Sequence, residues 1–136
     1  MANSESNPGD RSYVKPEYPL SDITARIIAS AMEVHTNLGP GFEEKFYQRA
    51  FELELPDHNL VGEREVEIAV NYKGCSLGHK RVDFVIEEVM VEMKAKAALE
   101  DVDFVQALSY LKASGNKVGL LINFGGRRLE VKRLAN

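Results

Sequence analysis

Residues 81–94 read RVDFVIEEVMVEMK and contain the strongest structural pattern in the chain. Apolar residues alternate with other residues on both sides of Glu87-Glu88, which is typical of two β-strands joined by a two-residue turn. The predicted hairpin has one wholly apolar face, formed by Val82, Phe84, Ile86, Val89, Val91 and Met93. With this turn, Asp83 lies directly opposite Glu92. Lys94 lies opposite Arg81, on the same face as the two carboxylates.

Two carboxylates that face each other across neighbouring strands destabilise the pairing of the strands unless something neutralises their charge. A divalent cation is a natural partner, because Mg²⁺ is typically held by one or two carboxylates together with waters and substrate phosphates. The alternative is an ordinary solvated sheet face with mixed charges, and for the hairpin alone we favour it. A metal site is therefore a hypothesis that other residues must support.

Helices are predicted before the hairpin. Helical spacing of apolar residues indicates a first helix that begins at Ser21-Asp22 and stops at Gly39, and a second that ends near Pro56. The two stripes are Ile23, Ile27, Ala31, Val34 and Leu38, and then Phe42, Phe46, Ala50, Phe51 and Leu53. Residues 66–70 alternate as a strand, and Lys73-Gly74 predicts a turn after it.

After the hairpin, residues 101–114 are predicted to form a helix with Val102, Val105, Leu108 and Leu111 facing the core. Residues 118–124 form a continuous apolar run that fits a buried central strand. Gly125-Gly126 predicts a turn into a last strand over residues 128–133. The order α, α, β, β, β, α, β, β predicts an α/β or α+β domain, in which helices cover a mixed sheet.

The length of 136 residues fits one domain. Residues 1–20 are rich in Ser, Asn, Pro and charged residues, so we expect a flexible N-terminal arm followed by a single domain over residues 21–136. No run approaches the roughly 18 apolar residues of a membrane helix, and no secretory signal pattern is present. The single cysteine, Cys75, excludes an internal disulfide, a Cys-based zinc site and an iron–sulfur cluster. We expect no membrane association and a cytoplasmic location.

The charge balance limits how the chain could bind a polyanion. The chain contains 17 Lys and Arg residues and 21 Asp and Glu residues, which gives a net charge of −4. Proteins that neutralise many phosphates are usually basic. A polyanion would need a local basic patch or metal ions held on acidic groups. The candidate basic residues are Arg81, Lys94, Lys96, Lys112, Lys117, Arg127, Arg128, Lys132 and Arg133. For the last four, a charged edge strand that prevents sheet-to-sheet aggregation is an equally good explanation.

Two further patterns lie on the predicted helices. Gly41, Glu44 and Tyr47 form G-x-x-E-x-x-Y at the start of the second helix, and Gln106 and Tyr110 are spaced i, i+4 on the third. Taken alone, the first is a glycine turn with an acid at a helix N-terminus, and the second is a surface Gln beside a half-buried Tyr. The isolated histidines are interpreted as surface or capping residues rather than ligands; they are His35, His58 and His79.

Taken in order, Glu44, Asp83, Glu92-Met93-Lys94 and the Q-x-x-x-Y of residues 106–110 resemble the motif set of the PD-(D/E)xK nuclease superfamily, and most closely its RecB-like branch. Residues 41–47 (GFEEKFY) and 119–125 (GLLINFG) are similar to a smaller group, the GxxExxY proteins. The resemblance covers about residues 20–134. Val82 stands where the superfamily name has proline.

The resemblance implies a restriction-endonuclease-like core, with a mixed central sheet flanked by helices, and metal-dependent hydrolysis of phosphodiesters. Asp83 and Glu92 would ligate Mg²⁺ or Mn²⁺ together with the main-chain carbonyl of Met93, and Glu44 would add a third carboxylate. Lys94 would orient or help deprotonate the attacking water. The phosphate or the nucleophile would be positioned by Gln106 and Tyr110.

The expected substrate is DNA, with little intrinsic sequence specificity, because a chain of this length has no separate recognition domain. RNA as substrate, endo- or exonuclease action, and a homodimer or partner subunit are left open. The alternative is a non-catalytic module that retains the nuclease fold and binds nucleic acid or protein.

Overall fold

The computed structural model of the protein describes residues 20–136. The elements are α1 (Ser21–Leu38), α2 (Glu44–Glu54), a short 3-10 helix (Leu55–His58), β1 (Gly62–Tyr72), β2 (Cys75–Ile86), β3 (Val89–Lys94), α3 (Asp101–Ser114), β4 (Val118–Asn123) and β5 (Glu130–Ala135). This order agrees with the predicted one, although β1 and β2 are longer than the alternating pattern indicated. The predicted arm lies outside the described residues, except for Leu20.

The strands form one mixed sheet in the order β1-β2-β3-β4-β5. β3 and β4 are parallel and are connected through α3, whereas the other neighbouring strands are antiparallel. Every residue of β4 is buried, as expected for a central strand that helices cover on both faces. The predicted α/β fold class, a mixed central sheet flanked by helices, is confirmed.

The β2–β3 hairpin has the predicted register. Phe84 pairs with Val91, and Ile86 pairs with Val89. The turn residues Glu87 and Glu88 have φ angles of 44° and 77°. Positive φ at both central positions is typical of a type I′ turn, whose twist matches that of the paired strands. The turn therefore sets the register that brings Asp83 beside Glu92.

β2 and β3 separate soon after this turn. Their ladder contains three residue pairs, and beyond it Lys94 pairs with Asn123 of β4. Arg81 pairs with Glu67 of β1 and forms ion pairs with Glu65 and Glu67 at 3.3 and 3.9 Å. The prediction that Lys94 lies opposite Arg81 is wrong, because the two strands diverge before they reach these residues.

Helices cover both faces of the sheet. One cluster of buried residues joins α1 and α2 to the sheet and includes Ile27, Tyr47, Phe51, Phe84, Met93 and Phe124. A second joins α3 to the other face and includes Val82, Met90, Ala107, Leu111 and Leu121. Residues two apart in a strand normally share a face, yet Val82 and Phe84 belong to different clusters. The strand is therefore irregular at Asp83, and the predicted apolar face does not extend to Val82.

The predicted inward face of α2 is partly wrong. Tyr47 and Phe51 are fully buried, whereas Phe42, Phe46 and Leu53 are 47, 48 and 61 % exposed. The helix carries apolar residues on two sides, and spacing alone did not indicate which side faces the sheet.

The predicted inward face of α3 is also partly wrong. Its buried residues are Asp103, Ala107 and Leu111, whereas Val102 and Val105 are 66 and 62 % exposed. Asp103 turns inward because its carboxylate accepts a hydrogen bond from the Glu100 N–H in a capping box and another from Lys96 Nζ.

Tyr47 closes the loop between α1 and α2. Its hydroxyl donates to the Gly39 carbonyl (2.6 Å) and accepts from the Phe42 N–H (3.1 Å). Its ring stacks on Phe124, with centroids 5.0 Å apart. The tyrosine of the G-x-x-E-x-x-Y pattern thus holds the backbone that leads into α2 and Glu44.

We expect Tyr47→Phe to lower the free energy of unfolding by about 1–2 kcal/mol, because it removes both hydrogen bonds and keeps the ring stacking. Tyr72→Phe is the matched control, since Tyr72 is exposed on β1, and its effect should stay within about 0.5 kcal/mol. Urea denaturation measures both. Equal losses in the two variants would contradict this role of the Tyr47 hydroxyl.

Candidate active site

Asp83 and Glu92 meet in the gap that opens between β2 and β3. The Asp83 N–H donates to Glu92 Oε1 (2.9 Å), and the Met93 N–H donates to Asp83 Oδ2 (2.7 Å). Each carboxylate thus takes a backbone donor of the opposite strand, beyond the last pair of the ladder. These reciprocal bonds hold the two side chains on the same side of the gap.

The backbone N–H and C=O of Met93 also face this gap. Within a β-strand the N–H and C=O of one residue point to the same side. Because the Met93 N–H donates to Asp83 Oδ2, the Met93 carbonyl is directed toward the same gap.

Glu44 approaches the pair from the first turn of α2. Gln48 Nε2 donates both to Glu44 Oε2 (3.0 Å) and to Asp83 Oδ1 (3.2 Å). Arg64 on β1 donates to Gln48 Oε1 (3.1 Å). Sequence reasoning missed Gln48, although its i, i+4 spacing from Glu44 places both side chains on one helix face.

Lys94 lies beside the three acids at the end of β3. Its Nζ donates to Gln106 Oε1 (3.2 Å) and lies 4.0 Å from Asp103 Oδ1. α3 therefore brings Gln106 to the ammonium. Tyr110 is half-buried against the α3-side cluster, and its hydroxyl forms no hydrogen bond within residues 20–136. The structure thus places Tyr110 one helical turn beyond Gln106 without bringing it into contact with the acids.

Asp103 and Asn123 were missed by sequence reasoning. Asp103 accepts a hydrogen bond from Lys96 Nζ (2.8 Å). Burial raises the pKa of Asp103, but the hydrogen bonds from Lys96 and from the Glu100 backbone outweigh burial and hold the pKa below its ordinary value. Asp103 belongs to no quoted motif, and Asn123 lies in the quoted stretch 119–125 (GLLINFG), where it was not singled out as a functional residue.

Asn123 is fully buried at the end of β4. Its Oδ1 accepts from the N–H of Lys96 (3.0 Å) and of Gly125 (3.2 Å), and its Nδ2 donates to the Lys96 carbonyl (2.9 Å) and to Glu130 Oε1 (2.7 Å). These four bonds join the segment after Lys94 to the loop after β4.

The carboxylates of the site are held in an unfavourable environment. The pKa of Glu92 is raised to about 8, first by burial and then by the nearby Asp83 carboxylate, while the Asp83 N–H and Lys94 oppose the shift. Burial also raises the pKa of Asp83, against the Met93 N–H and Lys94. For Glu44, burial and then Asp83 raise the pKa. The three groups therefore resist carrying three negative charges together.

None of these three carboxylates forms an ion pair within the part of the chain that the structure describes. Buried carboxylates are stable as anions only when a cation or several donors compensate their charge. A site of carboxylate and carbonyl oxygens suits Mg²⁺ or Mn²⁺, so the residues present fit such an ion chemically.

The side chains are nevertheless not arranged as a ready-made metal cage. In residues 20–136 no group of three His, Cys, Asp or Glu is placed to hold a metal ion, and Asp83 Oδ2 and Glu92 Oε1 accept backbone hydrogen bonds. The histidines contact other regions: His35 bonds the Gly126 carbonyl (2.9 Å), His58 pairs with Glu54 (3.0 Å), and His79 is exposed on β2.

A sequence profile of the PD-(D/E)XK nuclease superfamily matches residues 21–134. The chain belongs to this superfamily. The family is one of nucleases, and nucleases of this superfamily generally use divalent metal ions.

Among solved structures, the crystal structure of SSO0001 is similar, with a TM-score of 0.53 and 18 % sequence identity. The alignment covers 86 % of this chain and 59 % of SSO0001. At this identity the likeness shows a shared fold. Curated protein sequences contain no significant match to the chain. Among the helices of residues 20–136, none has the length and apolar character needed to span a bilayer.

The raised pKa of Glu92 makes stability depend on pH in the metal-free protein. Because the folded state keeps a proton that the unfolded state releases near pH 4.5, the free energy of unfolding falls as pH rises from about 4.5 to about 8, by roughly 2–5 kcal/mol. We expect Glu92→Gln to remove most of this fall, since the amide keeps the acceptor for the Asp83 N–H and carries no charge.

In EDTA at about pH 8, the Glu92→Gln variant should therefore be more stable than the wild type by roughly 1–3 kcal/mol, and nearly equal to it at about pH 5. The control is Glu63→Gln, an exposed acid on β1, which should follow the wild-type pH dependence. Urea denaturation at the two pH values measures the difference. A Glu92→Gln variant less stable than the wild type at pH 8 would show that the buried charge is already compensated.

Proposed function

We propose that the protein is a divalent-metal-dependent nuclease that hydrolyses phosphodiester bonds, with DNA as the favoured substrate. The observation that carries the proposal is that buried Glu92 and half-buried Glu44 and Asp83 lie next to Lys94 without a direct ion pair to any of the three acids within residues 20–136. An arrangement that destabilises the protein alone becomes favourable once a cation and a phosphate bind.

Glu44, Asp83, Glu92 and the Met93 carbonyl are the groups that would hold Mg²⁺ or Mn²⁺. In the described residues, Glu44 Oε1 and Glu92 Oε2 accept no hydrogen bond, so these two acids each have an oxygen left for a ligand bond. Both oxygens of Asp83 accept one hydrogen bond, from Gln48 and from the Met93 N–H. A bound ion of this kind stabilises charge that develops on the phosphate and lowers the pKa of a bound water.

Lys94 is proposed to orient the attacking water and to donate to a phosphate oxygen. Gln106 supports this role, because its Oε1 accepts from Lys94 Nζ (3.2 Å) and restricts where the ammonium can lie. Gln48 holds Glu44 and Asp83 in one arrangement through its two hydrogen bonds. Tyr110 lies one turn beyond Gln106, where its free hydroxyl would donate to the phosphate or the nucleophile.

Within the superfamily, we propose that the chain belongs to the GxxExxY group. This assignment rests on residues 41–47 (GFEEKFY) and on the Q-x-x-x-Y of residues 106–110. All proposed site residues lie in residues 21–136, which we treat as one nuclease-like domain with little intrinsic sequence preference. We propose a cytoplasmic location, where the exposed free thiol of Cys75 stays reduced.

The second candidate function is a non-catalytic binding module that retains the nuclease fold. The observation that favours it is that backbone N–H groups already occupy Asp83 Oδ2 and Glu92 Oε1, which leaves no preformed cage for a metal ion. Such a module would bind nucleic acid or protein without turnover.

Cleavage assays separate the two candidates. We expect the purified protein to cleave DNA with Mn²⁺ or Mg²⁺ and to lose the activity in EDTA. Asp83→Asn and Lys94→Ala should each lower the rate at least about 100-fold, because they remove a metal ligand and the charge beside the phosphate. Lys80→Ala is the matched control for Lys94→Ala, since Lys80 is an exposed lysine on β2, and should cleave at the wild-type rate.

Thermal unfolding tests the metal site separately from turnover. Mg²⁺ or Mn²⁺ should raise the Tm of the wild type and of Lys80→Ala, and should leave the Tm of Asp83→Ala unchanged. Cleavage that persists in Lys94→Ala would reveal a contaminating nuclease. Nucleic-acid binding without cleavage, together with an unchanged Tm at millimolar metal, would favour the binding module.

A further inference from the structure

Two arginines differ from the other arginines that the structure describes. Arg127 and Arg128 are exposed and form no ion pair or hydrogen bond within residues 20–136. The other described arginines all have partners: Arg26 pairs with Asp22, Arg49 with Glu52, Arg64 with Glu52, Arg81 with Glu65, and Arg133 donates to Thr24. In a chain with a net charge of −4, two adjacent guanidinium groups without a carboxylate partner need a separate explanation.

Protection of the sheet edge does not supply that explanation. β5 is an edge strand, and it begins at Glu130. Arg127 and Arg128 precede it in the β4–β5 loop, so their side chains do not lie on the edge strand. Lys132 and Arg133 are on the strand and can serve that purpose.

The β4–β5 loop begins next to Lys94. Phe124, the first residue after β4, donates its N–H to the Lys94 carbonyl (2.9 Å). Three Cα steps of 3.8 Å separate Arg127 from Phe124, so the two Cα atoms lie within about 11 Å. Since DNA presents one phosphate per strand every 3.4 Å along its axis, this upper limit corresponds to no more than about three phosphates.

The loop is held against the body of the domain. Asn123 Oδ1 accepts the Gly125 N–H, and His35 Nε2 bonds the Gly126 carbonyl. A Cβ atom at Gly125 would overlap the backbone of Lys96, so only glycine fits this approach. The two arginines line a cavity of about 500 Å³ on this fixed loop. Their backbone is therefore positioned before any ligand binds.

We propose that Arg127 and Arg128 form a phosphate-binding subsite that takes the nucleic-acid backbone a few nucleotides from the bond cut at Asp83 and Glu92. This inference rests on the proposed function. Guanidinium groups match phosphate geometry and stay charged at all working pH values. Contacts to phosphates carry no base information, so this subsite gives affinity that depends on salt and not on sequence.

The test measures binding of a short fluorescein-labelled DNA, single-stranded and duplex, by fluorescence anisotropy in Mg²⁺. All proteins carry Lys94→Ala, which prevents cleavage and keeps the proposed metal ligands. In this background Arg127→Gln/Arg128→Gln is compared with Arg49→Gln/Arg81→Gln. The control pair removes the same charge from exposed arginines that already have carboxylate partners. Arg81 was a candidate for phosphate contact on sequence grounds, but its ion pairs with Glu65 and Glu67 neutralise it locally, so we expect no phosphate contact from it.

We expect Arg127→Gln/Arg128→Gln to weaken duplex binding about 10- to 100-fold and to reduce the slope of log K against log salt by about 2, or about 0.9 per lost phosphate contact. For the single strand the slope should fall by about 1.4. The control pair should bind within about twofold of the parent protein with an unchanged slope. Melting temperatures of both variants should equal that of the parent, since all four side chains are exposed.

The possible failures are distinguishable. If both double variants lose affinity equally, bulk charge explains the effect and the subsite is wrong. If Arg127→Gln/Arg128→Gln keeps the parent salt slope while the wild type cleaves DNA, the subsite is wrong and the proposed function stands. If the parent binds neither DNA and the wild type cleaves none, the proposed function itself fails.

Discussion

The site depends on two reciprocal hydrogen bonds, from the Asp83 N–H to Glu92 Oε1 and from the Met93 N–H to Asp83 Oδ2. They form where the β2–β3 ladder stops, and their acceptors are carboxylates rather than backbone carbonyls. The backbone donors are satisfied, as buried amides require. As a consequence, the two acids are fixed side by side in the gap between the strands. This environment is unfavourable for the charged form of each carboxylate.

The remaining elements complete this arrangement from both faces of the sheet. α2 supplies Glu44 and Gln48 from one face, and α3 supplies Gln106 and Asp103 from the other. A site built between layers takes its geometry from packed helices and strands rather than from loops, which favours a fixed arrangement of charged groups. The raised pKa of Glu92, about 8, shows that the arrangement lowers the stability of the metal-free protein. Buried acids that the fold alone does not need are characteristic of functional sites.

The local pattern determined what could be predicted. The hairpin register followed from strict alternation and a two-residue turn, so the meeting of Asp83 with Glu92 was predicted correctly. The faces of α2 and α3 were not, because Phe46 and Val105 are apolar and exposed while Asp103 is polar and buried. Helical spacing assigns a face only when apolar residues lie on one side. Gln48, Asp103 and Asn123 act through tertiary hydrogen bonds, and such contacts leave no periodic signal in a single sequence.

The distribution of charge explains how an acidic chain can be suited to a polyanion. Most surface arginines are neutralised locally by carboxylates, so they add little to the field that a distant phosphate experiences. Arg127 and Arg128 form no ion pair within residues 20–136, because Glu130, the acid beside their loop, accepts instead from Asn123 Nδ2 and the Leu99 N–H. The acids at Glu44, Asp83 and Glu92 would repel a phosphate until a cation compensates them. Attraction at the β4–β5 loop and repulsion at the metal-free carboxylates therefore act on neighbouring parts of one strand. Under the proposed function, the loop would hold the nucleic acid by its backbone, and close approach of the bond to be cut would require the cation.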